Sequence, residues 1–81
     1  MWMSNIYVVI DPRIVDANSL VELRSAICDL GATVVVVDAQ RHVIEATLPA
    51  SEVPTVAAME GVSYVRNFFT YFVGYQPVKA G

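Results

Sequence analysis

The sequence predicts a single α+β domain in which two helices cover one side of a four-stranded antiparallel sheet. Three observations support this prediction. Four segments are rich in β-branched and aromatic residues, and two segments between them have helical patterns that end at Gly31 and Gly61. The connections are short, and 81 residues are enough for one domain only.

The first strand and the first helix follow from the N-terminal third of the chain. A strand over Ser4–Ile10 ends at Asp11-Pro12, because proline lacks the N–H group that a strand ladder needs. Asp16-Ala17-Asn18-Ser19 offers several N-capping side chains, and Ser19 with Glu22 has the spacing of a capping box, which predicts the start of a helix there. Gly31 ends that helix in the left-handed conformation. Its apolar stripe consists of Leu20, Leu23, Ile27 and Leu30.

The second and third strands are predicted to form a hairpin. Thr33–Ala39 contains four consecutive valines, whose branching at Cβ favours a strand over a helix. Gln40 and Arg41 form a polar break. The third strand covers His42–Leu48, with apolar and polar residues largely on opposite faces.

The second helix and the fourth strand complete the order βαββαβ. Ser51 is a candidate N-cap, Pro54 is tolerated in the first helical turn, and Gly61 ends the helix. The fourth strand runs from Val62 to about Val73. The domain therefore has a core over residues 4–73 and a tail over residues 74–81, with the element order of a ferredoxin-like fold.

Composition excludes several classes of function. The chain is 56% hydrophobic and 16% charged with a formal net charge of -3, so it offers no basic surface for nucleic acid. No apolar run approaches the ~20 residues of a membrane-spanning helix. The first twelve residues lack the pattern of a secretory signal, and the single Cys28 excludes an internal disulfide. A cytoplasmic protein is the expectation.

No residue pattern indicates catalysis, a metal site or a cofactor. His42 is the only histidine and stands at a hairpin edge without evident partners, and Cys28 lies beside the helical core stripe. Asp11, Asp16 and Asp38 fit turns, caps and strand ends. Phosphate-binding loops, zinc-protease motifs and paired CxxC cysteines are absent from the sequence. The expectation is a protein that is not an enzyme.

The strands carry more apolar side chains than one covered face needs. With Val8 and Val34 facing the helices, the open face would receive Tyr7, Val9, Val35 and Val37. The fourth strand places Tyr64, Phe68 and Phe72 on one side and Val65, Phe69, Tyr71 and Val73 on the other. An exposed apolar surface of this kind indicates a protein partner.

One part of the chain resembles a known family. The segments Leu48–Val53 and Gly61–Val65, read as leucine-proline, a serine-led short helix and glycine-valine-x-tyrosine-valine, are similar to the inhibitor I9 family. That family contains the propeptides of subtilisin-type serine proteases and free-standing inhibitors. The resemblance implies that the open sheet face docks on surface helices of the protease, while the segment Phe69–Gly74 enters the substrate cleft as a product-like ligand. The expected partner-binding residues are Tyr7, Val9, Val35, Val37, Tyr64, Phe68, Phe69, Thr70, Tyr71, Phe72, Val73 and Gly74.

Two departures from the family pattern lead to an alternative. Arg66-Asn67 stands where family members carry acidic residues that interact with helix N-termini of the protease. The chain also continues with enough strand-forming residues to lengthen the fourth strand. The alternative is a homo-oligomeric interaction module in which sheets pack face to face or fourth strands pair across a two-fold axis. A sensor of small ligands is a third and weaker hypothesis, because no loop carries convergent polar groups.

Overall fold

The computed structural model describes residues 1–74, so the tail predicted over 74–81 lies outside the described residues from residue 75 onward. The fold is α+β, with one four-stranded antiparallel sheet and two α-helices. Its elements in chain order are β1 (Trp2–Ile10), α1 (Ala17–Asp29), β2 (Val34–Asp38), β3 (Val43–Pro49), α2 (Val53–Ala57) and β4 (Val62–Phe72). The element order βαββαβ is thus confirmed, and β1 begins two residues earlier than predicted.

The strands lie side by side in the order β2-β3-β1-β4. The predicted hairpin of β2 and β3 is present, and β1 pairs antiparallel with both β3 and β4. The unit β1-α1-β2 therefore has β3 inserted between its two strands, and the unit β3-α2-β4 has β1 inserted between its strands. This interleaving places the two central strands, β1 and β3, between the short β2 and the long β4.

Alternate residues of the two central strands form the core. Ile6, Val8 and Ile10 of β1 lie beside Ile44, Ala46 and Leu48 of β3, and all six are buried. Because Leu23 and Ile27 of α1 and Val56 of α2 belong to the same cluster, both helices cover the same side of the sheet. We call this side the inner face.

The cap of α1 differs from the predicted capping box. Asp16 is the N-cap, and its carboxylate accepts hydrogen bonds from the backbone N–H and the hydroxyl of Ser19, at 2.9 and 3.0 Å. Ser19 lies inside the first turn, so among the predicted capping side chains Asp16 acts as the cap and Ser19 does not. Both residues are good caps, and the helix begins at the earlier one. Beyond the C-cap Leu30, Gly31 has φ +94°, as the left-handed helix end requires.

The second helix is short and begins with a tighter turn. Residues Ala50–Glu52 form a 3₁₀ turn that leads into α2, so Ser51 lies within this turn and does not act as the predicted cap. Pro54 occupies the first turn, where its missing N–H leaves no hydrogen bond unmade. Gly61 has φ +93° and turns the chain into β4.

Candidate functional site: the open face of the sheet

The side of the sheet opposite the helices is the open face. Because side chains alternate along a strand, the buried Ile6 and Val8 fix the neighbouring Asn5, Tyr7 and Val9 on the outside. Pairing registers extend this assignment to the other strands. The open face consists of Met3, Asn5, Tyr7, Val9, Val34, Val36, Val43, Glu45, Thr47, Tyr64, Arg66, Phe68, Phe69 and Tyr71.

In β2 the outward residues are the opposite of those expected. Val35 pairs with the buried Ala46, and Val37 pairs with the buried Ile44. Both valines pack against the core. Val34 and Val36 are instead half exposed, at 51% and 50%. Because the four valines are identical, their sequence does not show which of them face outward. The pairing of β2 with β3 determines this. The prediction that Val35 and Val37 form part of the open face is wrong.

Two irregularities in β4 change which of its side chains face outward. Between the pairs Val9–Tyr64 and Ile10–Val62, β4 has the extra residue Ser63. Between the pairs Asn5–Phe69 and Ile6–Asn67, the extra residue is Phe68. Such bulges shift the alternation of a strand by one residue. The strict alternation predicted for β4 is therefore wrong, because each bulge exchanges the sheet face on which the following odd- and even-numbered residues lie.

The second bulge places two adjacent phenylalanines on the same side of the sheet. Phe68 packs against Tyr7 and Phe69 packs against Tyr71, and Tyr7 and Tyr71 both belong to the open face. Phe68 and Phe69 are 51% and 55% exposed. An unbulged strand would have turned one of these two rings toward the inner face.

Besides Val35 and Val37, two more of the expected partner-binding residues lie on the inner face. Thr70 pairs with the buried Ser4, and the two hydroxyl groups form a hydrogen bond of 2.7 Å. Phe72 pairs with Trp2, with ring centroids 5.2 Å apart. Thr70 and Phe72 are thus removed from the open face, and this end of the inner face carries polar and aromatic side chains.

The segment expected to enter a protease cleft is mostly held in the sheet. Phe69 to Phe72 belong to β4 and pair with β1. The backbone of Val73 also bonds to Met1, with its N–H 2.7 Å from the Met1 carbonyl oxygen. Gly74 is the last described residue. The described part of this segment is an edge strand, as the lengthening of strand four predicted.

Aromatic rings and a guanidinium form a compact group where β1 and β4 meet. Tyr7 and Phe68 make an edge-to-face contact with centroids 4.4 Å apart. The Arg66 guanidinium carbon lies 5.8 Å from the Phe68 ring centroid, within the range of a cation–π interaction. Arg66 itself pairs with Tyr7 in the sheet. The three side chains therefore form one surface in which each contacts its neighbour.

A shallow depression of about 270 Å³ crosses the middle of the open face. Val34, Val36, Phe68 and Phe69 line its sides. On its floor the Thr47 hydroxyl donates a hydrogen bond of 2.8 Å to the Asn5 side-chain oxygen. The Thr47 hydroxyl and the Asn5 side-chain oxygen satisfy each other when the floor is covered, whereas the amide N–H groups of Asn5 need acceptors from the partner.

One acidic and one basic side chain lie on the open face. Glu45 and Arg66 are both exposed, and both pair with Tyr7 from opposite sides. Within residues 1–74 the ion pairs are Arg13 with Asp11 and Arg41 with Asp38, neither of which involves Glu45 or Arg66. The sequence places Glu45 on the strand face opposite Ile44 and Ala46, but Glu45 was not among the expected partner-binding residues.

The polar residues considered for chemistry have local structural contacts. A ring nitrogen of His42 lies 2.6 Å from the Ile14 carbonyl oxygen, and His42 has φ 58° at the turn between β2 and β3. Hydrogen bonds from Arg13 lower the pKa of Asp11 to about 2. The backbone N–H of Ser19 lowers the pKa of Asp16. Cys28 is a partly buried free thiol on α1.

Comparison of the chain with protein-family models, curated proteins and solved structures finds no match. Neither of the helices within residues 1–74 has the length and apolar character needed to cross a membrane.

Proposed function

We propose that this chain is a non-catalytic protein-binding domain that uses the open face of its sheet as the binding surface. The observation that carries the proposal is the exposure of large apolar side chains on that face. Tyr64, Phe68, Phe69, Val34 and Val36 are each 50–55% exposed. Apolar residues scattered singly over a surface need no explanation, but a contiguous group on one face marks an interaction site.

The size of this surface fits a protein partner. Half exposure of an aromatic side chain leaves about 100 Å² in water, so the three rings and two valines present roughly 400 Å². That area lies within the range of the largest apolar patch on a typical monomer, which is often functional. Covering it contributes about 10 kcal/mol before the costs of association are subtracted.

The fold proposed for this domain is ferredoxin-like. The support comes from the two interleaved βαβ units, in which β3 is inserted into β1-α1-β2 and β1 into β3-α2-β4. A sheet of this type has one face covered by helices and one face free. The topology alone accounts for the free face. It does not account for the apolar side chains on that face, which therefore need a functional explanation.

A subtilisin-type serine protease is one candidate partner. Its support is the resemblance of Leu48–Val53 and Gly61–Val65 to the inhibitor I9 family. In this proposal the open face docks on the protease, and the chain acts as an inhibitor or a folding assistant. The pairing of Phe69–Phe72 with β1 weakens the part of this proposal that needs a free segment in the cleft.

A second copy of the chain is the other candidate partner. It is favoured by the continuous β4, which keeps Phe68 and Phe69 on the sheet and beside the central strands. Two such faces can pack against each other as in a β-sandwich, at a separation of about 10 Å. This arrangement requires no mobile segment.

The test measures binding to both candidates. Sedimentation equilibrium at low and high concentration reports self-association, and titration into a subtilisin assay reports inhibition. We expect Phe68→Ser to weaken whichever interaction is found, and Val36→Ser to weaken an interaction that covers β2. Val21→Ser is the matched control, because Val21 is an exposed valine on α1, away from the open face. A chain that stays monomeric and neither binds nor inhibits the protease would contradict the proposal.

A further inference from the structure

A single row of residues crosses the open face from one edge of the sheet to the other. Val36, Glu45, Tyr7 and Arg66 are successive neighbours on β2, β3, β1 and β4. Neighbouring strands are about 4.8 Å apart, so the Glu45 and Arg66 backbones are separated by about 10 Å, with Tyr7 midway. The face thus presents a negative and a positive group on either side of its central strand.

We propose that the open face binds a second copy of this chain about a two-fold axis that lies between the sheets, parallel to β1 and above Tyr7. This inference rests on the proposed function and identifies the partner. Rotation about such an axis exchanges the positions of β3 and β4. Glu45 of each copy then faces Arg66 of the other, and Tyr7 faces its own symmetry mate.

The charges select this axis over the other in-plane direction. An axis perpendicular to the strands would place each Glu45 opposite the second Glu45, and each Arg66 opposite the second Arg66. Like charges across an interface disfavour association, whereas complementary charges fix its register. Facing sheets pack about 10 Å apart, a distance that an extended glutamate and an extended arginine bridge together. The parallel axis is therefore the arrangement with two favourable ion pairs.

The apolar residues agree with the same arrangement. Phe68 contacts Tyr7 and lies beside Arg66, so it is close to the axis and is covered by the second sheet. The rings of Tyr64, Phe68 and Phe69 on β4 face β3 of the second copy and present roughly 300 Å² per copy, less than half of the ~800 Å² that each partner buries in a standard interface. Val34 and Val36 on β2 have no strand of the second copy opposite them. The complex is accordingly a dimer that dissociates on dilution, and its formation depends on the ion pairs for register.

Charge exchange tests this inference directly. In Glu45→Arg, and separately in Arg66→Glu, both symmetric ion pairs become like-charge pairs. We expect each single variant to raise the dimer dissociation constant by about 100-fold in sedimentation equilibrium. The double variant Glu45→Arg/Arg66→Glu restores opposite charges, and we expect its dissociation constant to return to within about tenfold of the original value.

Two matched controls separate these pairs from the effect of net charge. Glu22→Arg and Arg24→Glu make the same changes at exposed positions of α1, on the helical side of the sheet. We expect both controls to dimerise as the original chain does. Far-UV circular dichroism confirms that all five variants remain folded, and the double variant shows that either substitution is compatible with association.

The outcomes distinguish this inference from the proposed function. A dimer that the single charge reversals do not weaken, or that the double variant does not restore, overturns the axis above Tyr7. A chain that stays monomeric at high concentration but binds subtilisin overturns the self-association and leaves the protein-binding function standing. A chain that does neither overturns both.

Discussion

The two faces of the sheet are built from similar kinds of apolar residue but have opposite surroundings. On the inner face Ile6, Val8 and Ile44 are at most 1% exposed beneath α1 and α2. On the open face Val36 and Phe68 are about half exposed. The inner face is thus a protein core, while the open face has core-like composition without a cover.

This difference shows where the excess hydrophobicity of the chain is located. A 56% hydrophobic chain of 81 residues cannot bury all of its apolar side chains beneath one layer of helices. Within residues 1–74, five of the eleven exposed large apolar side chains lie together on the open face, beside Glu45 and Arg66. A concentrated apolar surface with specific charges is typical of an interface.

The largest expected loss of stability comes from truncating a side chain in the core. A similar truncation on the open face is the direct comparison. Ile27→Ala opens a cavity at a fully buried position of α1, and we expect it to lower the free energy of unfolding by about 2–5 kcal/mol. Val36→Ala on the open face should change it by no more than about 0.5 kcal/mol. Urea unfolding of the monomer, at low concentration, measures both. Equal losses would contradict the assignment of the two faces.

Adjacent valines of β2 sharpen the comparison within a single strand. Val35→Asp places a charge against the core, and we expect a loss of about 2–4 kcal/mol in the free energy of unfolding. Val34→Asp places the same charge in water and should leave monomer stability nearly unchanged. The result that would contradict the register of β2 is a larger loss at Val34 than at Val35.

A smaller effect is expected at the start of α1, the main cover of the inner face. Asp16→Ala removes the cap of this helix and should cost about 0.5–2 kcal/mol. Glu22→Ala is the matched control, because a capping box led by Ser19 would make Glu22 the important acid. Thermal unfolding of both variants decides between the two caps. Greater destabilisation by Glu22→Ala than by Asp16→Ala would support the capping box of Ser19 and Glu22.

The smallest effect concerns an ion pair that belongs to neither face. Arg13 lowers the pKa of Asp11 from 3.8 to about 2; the Arg13 side chain is largely exposed, and that of Asp11 is partly buried. A carboxyl group with a lowered folded-state pKa adds stability above its ordinary pKa and loses that stability as pH falls from about 4 to about 2. Arg13→Ala should return the pKa of Asp11 toward 3.8, with little change in stability at neutral pH. Titration of the Asp11 carboxyl carbon by NMR checks the shift, and an unchanged pKa would contradict this contact.

Much of the architecture could be predicted from local patterns. Asp11-Pro12, Gly31 and Gly61 mark the ends of elements, because proline cannot donate to a strand ladder and glycine readily adopts the positive φ that other residues avoid. The apolar stripe around Leu23 and Ile27 gave the buried side of α1. Helix and strand ends and the buried side of a helix depend on residues close in the sequence, so a single sequence is enough to predict them.

The composition of the open face could be predicted only in part, because it depends on pairing between distant strands. Tyr7 and Val9 followed from the alternation of β1. The four valines of β2 look alike, and only the register with β3 decides between Val34 and Val35. The bulge beside Phe68 has no signature in the local sequence, yet it determines the side taken by each later residue of β4.

The most direct measurement of the central claim is the solvent exposure of individual side chains as the chain associates. A soluble paramagnetic probe attenuates the NMR signals of exposed protons, so the rings of Tyr7 and Phe68 can be compared with the methyl groups of Val8 and Ile44. We predict that the rings are attenuated at low concentration and become protected at high concentration or with saturating protease. The methyl groups should be protected throughout. Rings that stay attenuated under every condition would contradict the claim that a protein covers the open face.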